Sequence, residues 1–278
     1  MQARLLPATR GAFWIAAGYY LYRRNPPLLT MLTFANMLLA LVCSQLQPAG
    51  PFLLLLLSPL VMALIANACG AIGQVGPLPF AALKTGLVEH HRLLLRLGML
   101  QMFYVMLAIV IFDQLLPSVD PDVLIGARDA AGKAPIKIDA NELLLLLLHL
   151  GVTAIAVLPA FWFAPLLTAW HGVPPFKSVF FSLVAVWRNW RAFLMYVLTA
   201  ALVGVFLPGL LLFLVGLLPG PLGEIFSIML RMLLLLVFAP VLMTGAYFSY
   251  RDIFAPEPDA QAVPAAGSDS PGDASSHE

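Results

Sequence analysis

Long apolar runs separated by short polar stretches dominate the chain. Six runs approach or exceed the roughly 20 residues that a membrane-crossing helix needs. They are Leu28–Leu46, Phe52–Ile72, Leu97–Leu116, Leu143–Trp170, Phe193–Leu218 and Ile225–Tyr250. Pro208-Gly209 falls inside the fifth run and predicts a kink or an unwound turn there.

Between the runs the spacing of apolar residues predicts amphipathic helices. Gly76-Pro77-Leu78-Pro79-Phe80 leads into Ala81–Arg96, where Phe80, Leu83, Leu87 and Leu94 make one face and Lys84, Arg92 and Arg96 another. Gly172-Val173-Pro174-Pro175-Phe176 leads into Lys177–Arg191, with Phe176, Phe180, Leu183, Trp187 and Trp190 beside Lys177, Arg188 and Arg191. Proline suits the first turn of such helices, where its missing N–H costs nothing. Basic helices with Phe or Trp on one face lie in the membrane interface. The stretch Gly11–Tyr22, with Trp14, Tyr19 and Tyr22 before Arg23-Arg24, is a weaker third example. It is too short to span and lacks the order of a secretory signal.

The even-numbered runs share a small residue followed by proline: Ser58-Pro59, Ala164-Pro165 and Ala239-Pro240. Each proline frees a carbonyl that neighbouring helices, Ser/Thr side chains or water must satisfy. The pattern reads as three tandem units of interfacial helix, odd span and proline-kinked even span. Because Pro and small residues are common in membrane helices, convergent composition is the competing explanation. The expected fold is therefore an all-α membrane protein with six transmembrane helices and amphipathic helices on the cytoplasmic side.

Composition agrees. Hydrophobic residues fill 61% of 278 positions and charged residues 10%, against about 25% charged in soluble domains. A net charge of +1 offers no basic excess for nucleic acid. The charges are nevertheless sorted by side. Arg4, Arg10, Arg23, Arg24, Lys84, Arg92, Arg96, Lys177, Arg188, Arg191 and Arg251 fall on the termini and alternate connections. The other side holds Arg128, Lys133 and Lys137 among Asp120, Asp122, Asp129, Asp139 and Glu142. The positive-inside rule then puts both termini in the cytoplasm. Residues 1–27 form an N-terminal segment, 28–251 the membrane domain, and 252–278 an acidic Pro/Ala/Ser-rich tail expected to be disordered. A polar loop, Ser118 to Asn141, faces the external side.

Few residues suggest chemistry. Arg231 is the basic residue well inside a span, two turns after Glu224. Asp113, Glu142 and His149 fall in the same external half. An arginine at that depth pairs, snorkels or lines a wet cavity, so a structural pair and an ion or substrate site are both open. Asn36, Asn67, Gln101, Thr153 and Thr244 also lie inside spans, where such groups usually bridge helices. Glu89-His90-His91-Arg92 reads as a solvated face, because adjacent histidines point to different sides of a helix. HExxH, CxxC, phosphate-loop and GxSxG patterns are absent from the sequence, so it supplies no metal site, cofactor site or catalytic residue. Cys43 and Cys69 fall towards opposite membrane faces and read as unpaired packing residues.

Two segments carry a resemblance. Ala17-Gly18-Tyr19-Tyr20 with Arg24-Asn25-Pro26-Pro27, and Ala164-Pro165-Leu166-Leu167 with Trp170-His171-Gly172-Val173-Pro174-Pro175 and Trp187-Arg188-Asn189-Trp190, resemble a family of uncharacterised integral membrane proteins of proteobacteria. The resemblance covers the six-span body and implies a bacterial inner-membrane location, with no activity to carry over. The expected role is a non-enzymatic envelope accessory or scaffold. Its basic collar, Lys84, Arg92, Arg96, Lys177, Arg188 and Arg191, would contact anionic lipid or a membrane partner. The alternative is a small transporter or channel built around Arg231, Asp113, His149, Glu224 and Glu142.

Overall fold

The computed structural model describes residues 4–72, 80–115, 140–216 and 221–254, and every regular element among them is helical. The polar loop, the tail beyond 254 and the proline-rich segment 76–79 fall outside the described residues, save the loop's last two positions. Six helical segments are long and apolar enough to cross a membrane. The first three are α2 (Pro26–Gln45), α3 (Ala49–Ile72) and α5 (His91–Leu115). The fourth is α6 (Ala140–Phe161) continued by α7 (Ala164–His171). The fifth is α9 (Trp190–Ala201), a π-helical turn at Leu202–Phe206 and α10 (Leu207–Gly216). The sixth is α11 (Pro221–Leu233), a π-helical turn at Leu234–Phe238, α12 (Ala239–Met243) and α13 (Gly245–Phe254).

Three shorter elements complete the chain: α1 (Arg10–Arg24), α4 (Phe80–Leu83) and α8 (Pro175–Arg188). Helix α1 buries Gly11, Trp14, Ile15, Gly18 and Leu21, a stripe at three- and four-residue spacing. Gly11 lets its backbone reach the Ala192 carbonyl of α9, and Gly18 meets Val241 and Thr244 of the sixth span. A Cβ at either position would occupy its neighbour's place. The helix ends where Pro26 forces Asn25 out of helical geometry, and the Asn25 side chain then caps α2 by accepting from the Leu28 N–H at 3.3 Å.

The core sits in the half of the molecule that carries Arg4, Phe254 and the collar cations. Trp14, Phe163, Leu166, Leu167, Ala192 and Ile253 are all fully enclosed there. Phe193 packs on Trp14, Trp162 and Phe163 at centroid distances of 5.2–5.8 Å. Polar bonds bind this half together. Asp252 accepts from Arg10 Nε and Nη2 at 2.9 and 2.7 Å and from Trp14 Nε1 at 2.7 Å. Asn189 accepts from the Leu6 N–H at 2.9 Å and donates to the Arg4 carbonyl at 2.9 Å. In the other half, long stretches of α5, α6, α10 and α11 present exposed apolar side chains.

Three sequence expectations need correction. Ala81–Arg96 is not one helix: Gly86, at φ +69°, turns the chain against the Ala169 backbone, and α5 begins at His91. Lys84 is thereby separated from Arg92 and Arg96, which stand on the first turns of the third span. The irregularity expected at Pro208-Gly209 lies one turn earlier, as the π-helical turn ending at Phe206. The carbonyl that Pro208 cannot bond belongs to Gly204, so the ladder breaks there. The last helix continues past 251 to Phe254, because Asp252 is paired and Ile253 is buried.

In the second and sixth spans the carbonyls freed by proline are attended. Ser58 Oγ donates to Leu55 O at 2.9 Å, the group left by Pro59. Thr30 Oγ1 reaches Leu236 O, left by Pro240, at 3.4 Å. The fourth span breaks at Trp162-Phe163, and Ser182 of α8 bridges the break by accepting from Phe163 N–H and donating to Pro159 O at 2.9 and 2.8 Å.

Asp252→Ala should leave Arg10 and the enclosed Trp14 N–H without their shared acceptor. Hydrogen bonds to charge contribute about 1.5–3 kcal/mol, discounted here because Arg10 is partly exposed. A fall of several degrees in the unfolding midpoint in detergent is expected, with Lys177→Ala unchanged. An Asp252→Ala midpoint equal to wild type would remove this contact from the account.

Candidate functional site: a basic face above an apolar cavity

Helix α8 shows how the basic face is built. Its small residues Ser178, Ser182 and Ala185 are completely buried against the fourth span. That choice of inward face turns the bulky ones outward: Phe176 is 77% exposed, Phe180 61% and Trp187 75%. Lys177, Arg188 and Arg191 are exposed beside them, and the Arg191 guanidinium stands 5.6 Å from the Trp190 ring. Lys84, Arg92 and Arg96 are likewise exposed. Among the described residues the one ion pair is Arg10–Asp252, so the collar cations meet no carboxylate among those residues.

Several polar groups prove to be ties between segments. Asn67 donates to the carbonyls of Leu83 and Thr85 at 3.0 and 2.8 Å and accepts from Trp170 Nε1 at 2.7 Å. It thus joins the second span, the turn before the third, and the end of the fourth. His90 Nδ1 lies 3.0 Å from Ala169 O, and His91 Nδ1 lies 2.8 Å from Val88 O. His171 Nε2 meets the Tyr250 hydroxyl at 2.7 Å, and Trp162 Nε1 donates to Ser249 Oγ at 3.0 Å. Thr244 turns back to Val241 O. Cys43 and Cys69 are buried and free.

The residues grouped around Arg231 do not converge on one bonded cluster. Arg231 and Glu224 are exposed on α11, and Asp113 is exposed near the end of α5. His149 lies half-buried on α6, its Nδ1 3.3 Å from Leu145 O of its own helix. Among the described residues no ion pair or hydrogen bond connects any of these. The Glu142 side chain lies outside what is described.

The bundle instead surrounds a laterally open cavity of about 710 Å³ to which all six spans contribute. Trp162, Pro165, Tyr196, Ala246 and Tyr247 form its end towards the basic face. Leu39, Leu54, Val157, Leu158, Val205 and Phe238 line the part farther away. Asn36, Ser58 and Gln101 are its polar side chains, and the Ser58 hydroxyl is 3.1 Å from Gln101 Oε1.

Sequence reasoning found the basic collar and the intramembrane polar residues. It missed Asp252, assigned to the tail, and the tie between Asn67 and Trp170. Arg10 and Asp252 are 242 positions apart, and no periodicity links them.

The chain is 30% identical over 273 residues to a "Probable inner membrane protein" of Burkholderia thailandensis. The alignment covers 95% of this chain and 98% of that relative. No family model and no solved structure matches the chain.

Asn67→Ala should strand the Trp170 N–H and two carbonyls, at about 1–3 kcal/mol for each buried group left unpaired. The expected reading is a clearly lowered melting temperature and poorer yield of folded protein, whereas Thr153→Val should melt like wild type. Equal melting of Asn67→Ala and wild type would show that Asn67 is not a tie.

Proposed function

We propose that this chain, which belongs to the same family as the Burkholderia inner membrane protein, is a non-enzymatic accessory or scaffold of the bacterial inner membrane that holds anionic lipid against its basic face. The observation that carries the reading is α8. Its bulky aromatic side chains face away from the protein while its small residues pack inward, and cations that pair with no carboxylate among the described residues flank the aromatics. Aromatic rings and basic side chains on one exposed helix suit the boundary between acyl chains and phosphates. Each cation near an anionic leaflet contributes about 1 kcal/mol, so Lys177, Arg188 and Arg191 together would favour anionic lipid by roughly 3 kcal/mol.

In this reading the basic face is cytoplasmic, as the positive-inside rule requires. The described N-terminal segment and the end of α13 lie on that one face, joined by the Arg4 N–H to Ile253 carbonyl bond at 3.0 Å. A threefold arrangement remains part of the proposal. Asn25 and Asn189 each stand at the junction between a short helix and an odd span, and the even spans each carry a proline irregularity or kink residue. Transport would need polar groups converging on a path. Arg231, Asp113, His149 and Glu224 line no part of the cavity, which supports a role without transport.

Trp187 and Trp190 are natural reporters of the surrounding lipid. With the protein in bilayers of mixed neutral and anionic lipid, bromine on the anionic species should quench tryptophan emission more strongly than bromine on the neutral one. Arg188→Gln with Arg191→Gln should remove that preference, and added salt should weaken it in wild type. A preference that survives in the double variant would refute lipid binding at α8. Absence of any preference, together with a protein partner released by the same substitutions, would assign the surface to that partner.

A further inference from the structure

We infer that the central cavity is an acyl-chain site, entered sideways from the bilayer between the fourth and fifth spans. The inference stands apart from the basic face and rests on the cavity's walls, its mouth and its floor. The walls are almost wholly apolar, and cavities of a few hundred to about 1,000 Å³ are ordinary ligand sites. Apolar cavities stay dry, since a water needs about three polar partners. Ser58 divides its one hydroxyl proton between Leu55 O and Gln101 Oε1, so the amides of Gln101 and Asn36 are the polar groups that the described spans leave to the cavity.

The mouth is set by packing. Helices α6 and α9 are joined through α8 but make no extensive contact of their own among the described residues. Leu158 of α6 and Val197 and Val205 of the fifth span line the cavity while being 52%, 57% and 71% exposed. The opening therefore gives onto hydrocarbon, and what can diffuse in from hydrocarbon is a lipid tail.

The floor selects the apolar end of such a molecule. Trp162 has given its N–H to Ser249, and Tyr196 has given its hydroxyl to Leu242 O at 3.1 Å. The Tyr247 hydroxyl lies 3.5 Å from the Arg251 guanidinium, on the basic-face side. An incoming headgroup would find no donor there, whereas a terminal methyl loses nothing. The occupant is thus the chain of a phospholipid, its head remaining at the membrane surface.

The test uses the full chain in vesicles of phosphatidylethanolamine and phosphatidylglycerol that contain a phospholipid with a photoreactive diazirine near the chain end. After illumination, adducts are mapped by peptide mass spectrometry. Adducts are expected at Met62, Gln101 and Trp162 inside the cavity, as well as at outward residues such as Phe103. Ala201→Phe, which fills the cavity from the fifth span, should lose the interior adducts and keep those at Phe103. Wild-type adducts confined to outward residues would overturn the inference without recourse to any variant. Interior adducts undiminished in both folded Ala201→Phe and Val205→Trp would overturn it as well.

Discussion

Everything on the basic side hangs on the attachment of the first helix to the last. Between membrane helices there is little hydrophobic drive, since lipid tails are as apolar as the side chains they would replace. Close backbone approach and polar bonds must hold the helices instead. Helix α1 has both: glycines against the fifth and sixth spans, and the shared acceptor Asp252 for Arg10 and Trp14. Trp14 in turn carries Phe193, and Phe193 carries Trp162, which closes the cavity. One carboxylate thus fixes, through three aromatic rings, the floor of the space inside the bundle.

Away from that face the spans are differently made. The fifth and sixth pass through π-helical turns, each just before a proline, and the fourth is interrupted ahead of Pro165. Such turns bend helices and let them separate. Where the backbone breaks nearest the core, Ser182 repairs it from a neighbouring helix. The result is a well-tied end beside a more open one, and the cavity occupies the transition between them. An inner-membrane protein built this way has room for its own solvent, the lipid.

The membrane class, the six spans, the side on which basic residues gather and the positions of the even-span prolines were all legible in the sequence. Each is a matter of composition or local spacing. The inward and outward faces of α8 were half legible: the aromatic stripe was visible at helical spacing, but which face the protein would bury depended on Ser178 and Ser182 meeting the fourth span. The break at Gly86 was missed because a positive φ leaves no periodic trace, and the close approach to Ala169 is a tertiary fact. The pairing of Arg10 with Asp252 was invisible for the same reason. Arg231 drew attention as an isolated charge, yet its depth along the chain could not say whether a partner would lie beside it.

A protein with an exposed aromatic and basic helix above an apolar space has features suited to lipid. The most direct measurement of that claim is the mass of the lipid that leaves the membrane with the protein. Native mass spectrometry of the full chain, released from nanodiscs of equal neutral and anionic phospholipid, should find it carrying retained lipid enriched in the anionic species. Release as bare protein, or with lipid in the bulk ratio, would contradict the account.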